Sequence, residues 1–127
     1  MRKAIVMAAG LCLIIVGVLH DAIGLGGLRR AALRGDVAER LVGQLMVNWL
    51  FSGAAMSVFG MVVVLAAADL ETAGPLARRV LVLTGVFFVA TGLLAYAVQP
   101  RPAVLGFAVV GLMTCVPLLR RSPTSRS

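Results

Sequence analysis

"AIVMAAGLCLIIVGVLHDAIGL", residues 4–25, decides how this chain is read. It is apolar from Ala4 to Leu19 and is bracketed by Arg2 and Lys3 before it and Arg29 and Arg30 after it. Crossing a hydrocarbon core of about 30 Å takes about 20 apolar residues as a helix, so this stretch predicts a membrane-crossing helix. Three further stretches of the same kind follow, at residues 37–68, 76–98 and 102–119, and a short basic tail closes the chain at 120–127. Barrel strands would alternate polar and apolar residues, and these runs do not. The expected fold class is therefore all-α, a single four-transmembrane-helix bundle over residues 1–127.

Composition agrees. Hydrophobic residues make up 61% and charged residues 13% of the chain, and the mean hydropathy is +1.03. A water-soluble domain carries about 45–50% and about 25%. The net charge of +7 does not imply nucleic acid, because the basic residues sit in pairs at the ends of apolar runs. There they set membrane orientation and reach anionic headgroups. Membrane lipids, and no nucleic acid, are the partners this predicts. Cys12 and Cys115 lie inside apolar runs without a C-x-x-C, and the single His20 excludes bis-histidine haem. No metal site or cofactor is expected. The start, "MRK" before an apolar run, resembles a signal peptide, but no small-x-small cleavage site follows, so the segment is expected to be retained.

Local signals mark the boundaries. Asp36 and Glu39 have the spacing of a capping box for the second helix. Pro75 fits the first turn of the third. "QPRP" at 99–102 forces a break before the fourth, and "LRRAALR" at 28–34 predicts a short surface helix ended by Gly35. Four spans place both termini on one side, with Arg2, Lys3, Arg78, Arg79, Arg120, Arg121 and Arg126. Arg29, Arg30, Arg34, Arg40 and Arg101 lie on the other. The larger basic share predicts cytoplasmic termini.

At about 1.5 Å rise per residue, the polar residues His20, Asp21, Gln44, Asn48, Tyr96 and Gln99 fall in one layer of the outer half of the bilayer. Gln44, Asn48 and Ser52 form a stripe at every fourth residue. Gly17, His20 and Gly24 share one helix face, as do Gly85, Gly92, Tyr96 and Gln99. Small residues permit close helix approach in lipid, so these faces are expected to point inward and toward one another. Gly53, Ser57 and Gly60 predict a packing seam, and Trp49 fits either an interfacial belt or a pocket wall. The candidate ligand-binding residues are His20, Asp21, Gln44, Asn48, Trp49, Ser52, Tyr96 and Gln99. Two readings of His20 and Asp21 stand side by side: a structural helix end, or a functional polar pair. Adjacent helical residues diverge by about 100°, so Asn48 is the expected partner of His20 in preference to Asp21. Gly10 aligns on Gly85 and Gly17 on Gly92 between the first and third helices, which is open to a 2+2 duplication.

The motifs "GVLH" (Gly17–His20), "WLFSG" (Trp49–Gly53) and "PAVLGF" (Pro102–Phe107) resemble those of small bacterial four-helix membrane proteins. More distantly, the chain resembles the DoxX-like group. The resemblance implies a four-helix protein of the bacterial cytoplasmic membrane and carries over no catalytic residue. Three functions compete. One is binding of a small apolar or amphipathic ligand, lipid- or quinone-like, in a polar-mouthed cavity. The second is an accessory or assembly subunit of a larger membrane complex or homo-oligomer. The third is a membrane enzyme using His20 as acid or base.

Overall fold

The computed structural model describes residues 2–69 and 75–119. Arg120, Arg121 and Arg126 of the basic count, and the tail 120–127, lie outside the described residues. The chain forms helices α1 (Arg2–Leu33), α2 (Glu39–Ala68), α3 (Pro75–Val98) and α4 (Leu105–Leu119), with a 3₁₀ turn at Pro102–Val104 leading into α4. No strand occurs among the described residues. The all-helical class and the four helices are as expected. The first three helices are long and apolar enough to cross a membrane. Helix α4 is shorter, about 22 Å at 1.5 Å per residue.

Two local expectations are corrected. The stretch at 28–34 is not a separate surface helix: α1 continues through it to Leu33. Nothing in the sequence stops the helix before Gly35, whose φ of 77° is a conformation that favours glycine. There Gly35 N–H donates to Ala32 O at 3.0 Å and Asp36 N–H to Ala31 O at 3.0 Å, a Schellman ending. The capping box does not form either. Helix α2 starts at Glu39, with Ala38 as its cap and no side-chain cap bond. Glu39 thus takes the first helical position instead of the third, out of register for reaching back. Asp36 instead accepts a hydrogen bond from Arg34 Nε at 2.8 Å. Pro75 does open α3, and "QPRP" does end it.

Packing pairs α1 with α2 and α3 with α4 as two antiparallel hairpins. Contact between the hairpins runs mainly through α1 and α4, and α2 meets α3 only lightly. Glycines hold each hairpin together. In the first, a methyl group on Gly60 would lie 2.6 Å from Gly10 O, and one on Gly17 would lie 2.6 Å from Gly53 O. In the second, a methyl on Gly85 would lie 2.8 Å from Gly111 O, and one on Gly92 would lie 2.5 Å from Ala108 N. Close backbone approach of this kind brings many atoms of the two helices into dispersion contact. The Gly53–Gly60 seam is as expected. The Gly85/Gly92 face is corrected in direction: it packs on α4, its hairpin partner, and not toward the polar faces of α1 and α2.

Lys3 Nζ donates to Ala68 O at 2.8 Å, fastening the start of α1 to the end of α2. A cation there also suits the negative end of the helix dipole. The core is narrow, built from residues such as Val6, Leu13, Val63, Leu81 and Phe88. Outward faces carry Ile15, Val18, Ile23, Val47, Leu83, Leu93 and Leu94, each more than half exposed. Apolar surface so extensive is foreign to a monomer in water.

Candidate ligand cleft

His20 lies on α1 about 26 Å above Lys3 at helical rise, half-buried between α1 and α2. Trp49 of α2 meets it there. The two rings stack with centroids 4.6 Å apart and planes inclined by 8°, and Trp49 Nε1–H donates to His20 O at 2.8 Å. The indole thus holds both the backbone and the ring of the histidine. Gly24, one turn further along α1, makes this possible, because a side chain there would occupy the position of the indole.

Asp21 points elsewhere. Its carboxyl group lies over Gly53, in the space a side chain at that position would fill. Asp21 Oδ1 is the one buried side-chain oxygen or nitrogen among the described residues that has no hydrogen-bond partner. Adjacent positions on α1 therefore send the two polar groups to different surroundings, as their angular separation requires.

The far side of His20 opens on a cavity of about 360 Å³ between the hairpins. The light contact between α2 and α3 leaves this space. All five phenylalanines of the chain line it: Phe51 and Phe59 from α2, Phe87 and Phe88 from α3, and Phe107 from α4. His20, Ser52 and Thr91 are its polar members. The rings also pack on one another. Phe59 stacks with Phe87 at 5.5 Å and meets Phe88 edge-on at 5.6 Å, and Phe88 lies 6.3 Å from Phe107. Exposure grades outward, from Phe88 at 3% to Phe51 at 75%, so the cavity is a cleft with a buried floor and a lateral rim. Its size and its few polar groups in an aromatic wall suit a small amphipathic molecule.

The structure brings together only some of the residues singled out in the sequence. His20 and Ser52 line the cleft, and Trp49 backs it through the stack. Gln44, Asn48, Tyr96 and Gln99 are exposed and are not among its lining residues. Ser52 Oγ–H donates to Asn48 O at 3.0 Å, a bond along α2 itself. His20 and Asn48 make no hydrogen bond with each other among the described residues; stacking on Trp49 holds the imidazole in its place. The phenylalanines were missed because each sits in an apolar run where it reads as filler. The available signal was the i, i+4, i+8 series of Phe51, Ala55 and Phe59, one stripe of α2.

Gly24→Leu tests the His20–Trp49 arrangement. The new side chain should expel the indole, at an overpacking cost of about 1–3 kcal/mol. The near-UV circular dichroism of the single tryptophan should flatten. Gly27→Leu, where nothing lies within reach of a side chain, should leave that signal intact. Equal spectra for the two variants would show that the indole does not lie against Gly24.

No protein-family model matches the chain, and no curated protein or solved structure shows significant similarity to it. Its class is therefore defined by the fold itself: an all-helical chain of four helices, three of them long and apolar enough to cross a membrane.

Proposed function

We propose that this chain is an integral membrane protein that holds one small amphipathic molecule, lipid- or quinone-like, in the phenylalanine cleft. The observation that carries the reading is the convergence of all five phenylalanines with His20 on one cavity between lightly touching helices. Phenylalanine faces accept flat rings and unsaturated chains by stacking. His20 and Ser52 supply donors and acceptors for a polar headgroup, and the lateral rim at Phe51 admits a ligand from the hydrocarbon phase. The basic residues at the end of Arg2 and Lys3 favour cytoplasmic termini in a bacterial cytoplasmic membrane, which puts the His20 end of the cleft in the outer half of the bilayer and its phenylalanine floor nearer the midplane. Kinship with DoxX-like four-helix proteins is part of this proposal and rests on the short motifs alone.

Trp49, the single tryptophan, stacks on a cleft-lining residue and so provides the test. Titrating the detergent-solubilised protein with a short-chain benzoquinone should quench its fluorescence saturably. His20→Leu should weaken apparent affinity about threefold to tenfold, the worth of one hydrogen bond of about 0.5–1.5 kcal/mol. Ala55→Phe, which fills the cleft from α2, should abolish saturation. Linear, collisional quenching that is the same in wild type and Ala55→Phe would exclude the cleft as a quinone site. Saturable quenching by a single-chain fatty acid analogue bearing a nitroxide, but not by the benzoquinone, would select the lipid-like ligand.

A further inference from the structure

Arg78 and Arg79 stand in the first turns of α3, at the end of the bundle where Lys3 fastens to Ala68. They crown a groove of about 500 Å³ whose other walls are Val82, Leu83 and Val86. These positions advance along α3 by about 12 Å. The groove faces away from the bundle: Leu83 is 73% exposed, whereas Leu81, Thr84, Gly85 and Phe88 of the same helix are buried. Its polarity is that of a phospholipid, with cations at one end and aliphatic surface below. Guanidinium groups match phosphate oxygens in geometry as well as in charge, and the positive end of the α3 dipole adds to the same field.

We infer that this groove binds an anionic glycerophospholipid, with its phosphate at Arg78 and Arg79 and an acyl chain along Val82, Leu83 and Val86. The inference rests on the membrane-spanning part of the proposed function and is independent of the cleft. The test is native mass spectrometry of the full chain released from nanodiscs of equimolar phosphatidylglycerol and phosphatidylcholine with identical acyl chains. The wild type should retain phosphatidylglycerol in preference. Arg79→Gln should lower the ratio of the two adducts about fivefold, the contribution of one basic residue near a membrane surface, and Arg79→Lys should keep most of it. Excess inorganic phosphate should not displace the lipid, because phosphate lacks the acyl chain. Equal retention of both lipids by the wild type would overturn the inference, as would an unchanged ratio in Arg79→Gln or complete displacement by inorganic phosphate. Failure of the membrane reading is distinguishable: the chain would then stay in the supernatant when membranes are sedimented without detergent.

Discussion

Gly60→Leu should unseat the first hairpin and lower the thermal midpoint in mild detergent far more than a glycine replacement on an open face. A methyl group at position 60 would already lie 2.6 Å from Gly10 O and 2.8 Å from Ile14 N. Both are backbone atoms of α1 and cannot rotate aside, so the helices must separate. Overpacking of well-packed sites costs about 1–3 kcal/mol and occasionally more. Here separation also loosens the neighbouring contact of Gly17 with Gly53, so the upper end of that range is expected. Gly43→Ala is the contrast. Nothing lies within reach of a side chain there, and replacing a helical glycine with alanine gains up to about 1 kcal/mol. Melting followed by far-UV circular dichroism should therefore shift in opposite directions for the two variants. Indistinguishable midpoints for Gly60→Leu and Gly43→Ala would mean that α1 and α2 do not meet at the glycines.

Phe88→Ala should be comparably severe, and it should abolish binding in the cleft along with stability. Phe88 is 3% exposed and has ring neighbours on three sides, Phe59 at 5.6 Å, Phe87 at 5.4 Å and Phe107 at 6.3 Å. Phe→Ala in a water-soluble core costs about 3–5 kcal/mol. Part of that is transfer from water, which vanishes if the separated helices remain in lipid. What remains is the cavity, the lost dispersion contacts and ring pairs worth about 0.5–1.5 kcal/mol each, so roughly 2–3 kcal/mol is expected. The link between α2 and α3 depends heavily on these rings, because little else joins the two helices. Quenching of Trp49 by benzoquinone should then lose saturation although His20 is untouched. Phe51→Ala, at the 75% exposed rim, should stay within about 0.5 kcal/mol of wild type. A Phe88→Ala variant that melts like the wild type would show that the aromatic cluster does not join the hairpins.

The candidate site was legible in the sequence at His20, Trp49 and Ser52. Each is a polar or amphipathic residue inside or beside an apolar run, where its cost in lipid demands a partner. Depth counting put His20 at the level of Asn48, and it is Asn48's neighbour Trp49, read from the sequence as a belt or a pocket wall, that meets it. It also put Gln44, Asn48, Tyr96 and Gln99 at that level, and those do not line the cleft. Depth is one coordinate; whether two side chains touch depends also on helix rotation and on which helices are neighbours. Asn48 and Trp49 are adjacent on α2, and the 100° between them gives Trp49 the histidine and turns Asn48 away from it.

Apolar run lengths, Pro75 and "QPRP" by themselves determined the all-helical class, the number of helices and two of their boundaries, because these follow from the rise of a helix and the chemistry of proline. The glycine spacings likewise revealed which faces make close contacts. Pairing was decided by tertiary structure. Gly85 and Gly92 carry the same signal whether they face α4 or α1, and the choice of α4 follows from the match to Gly111 and Ala108. The cleft, too, belongs to tertiary structure alone. Phe51, Phe59, Phe87, Phe88 and Phe107 come from three helices, and in an apolar run a phenylalanine facing lipid is indistinguishable from one facing a cavity. Only the arrangement of two tight hairpins that touch lightly along α2 and α3 leaves the space that the five rings line.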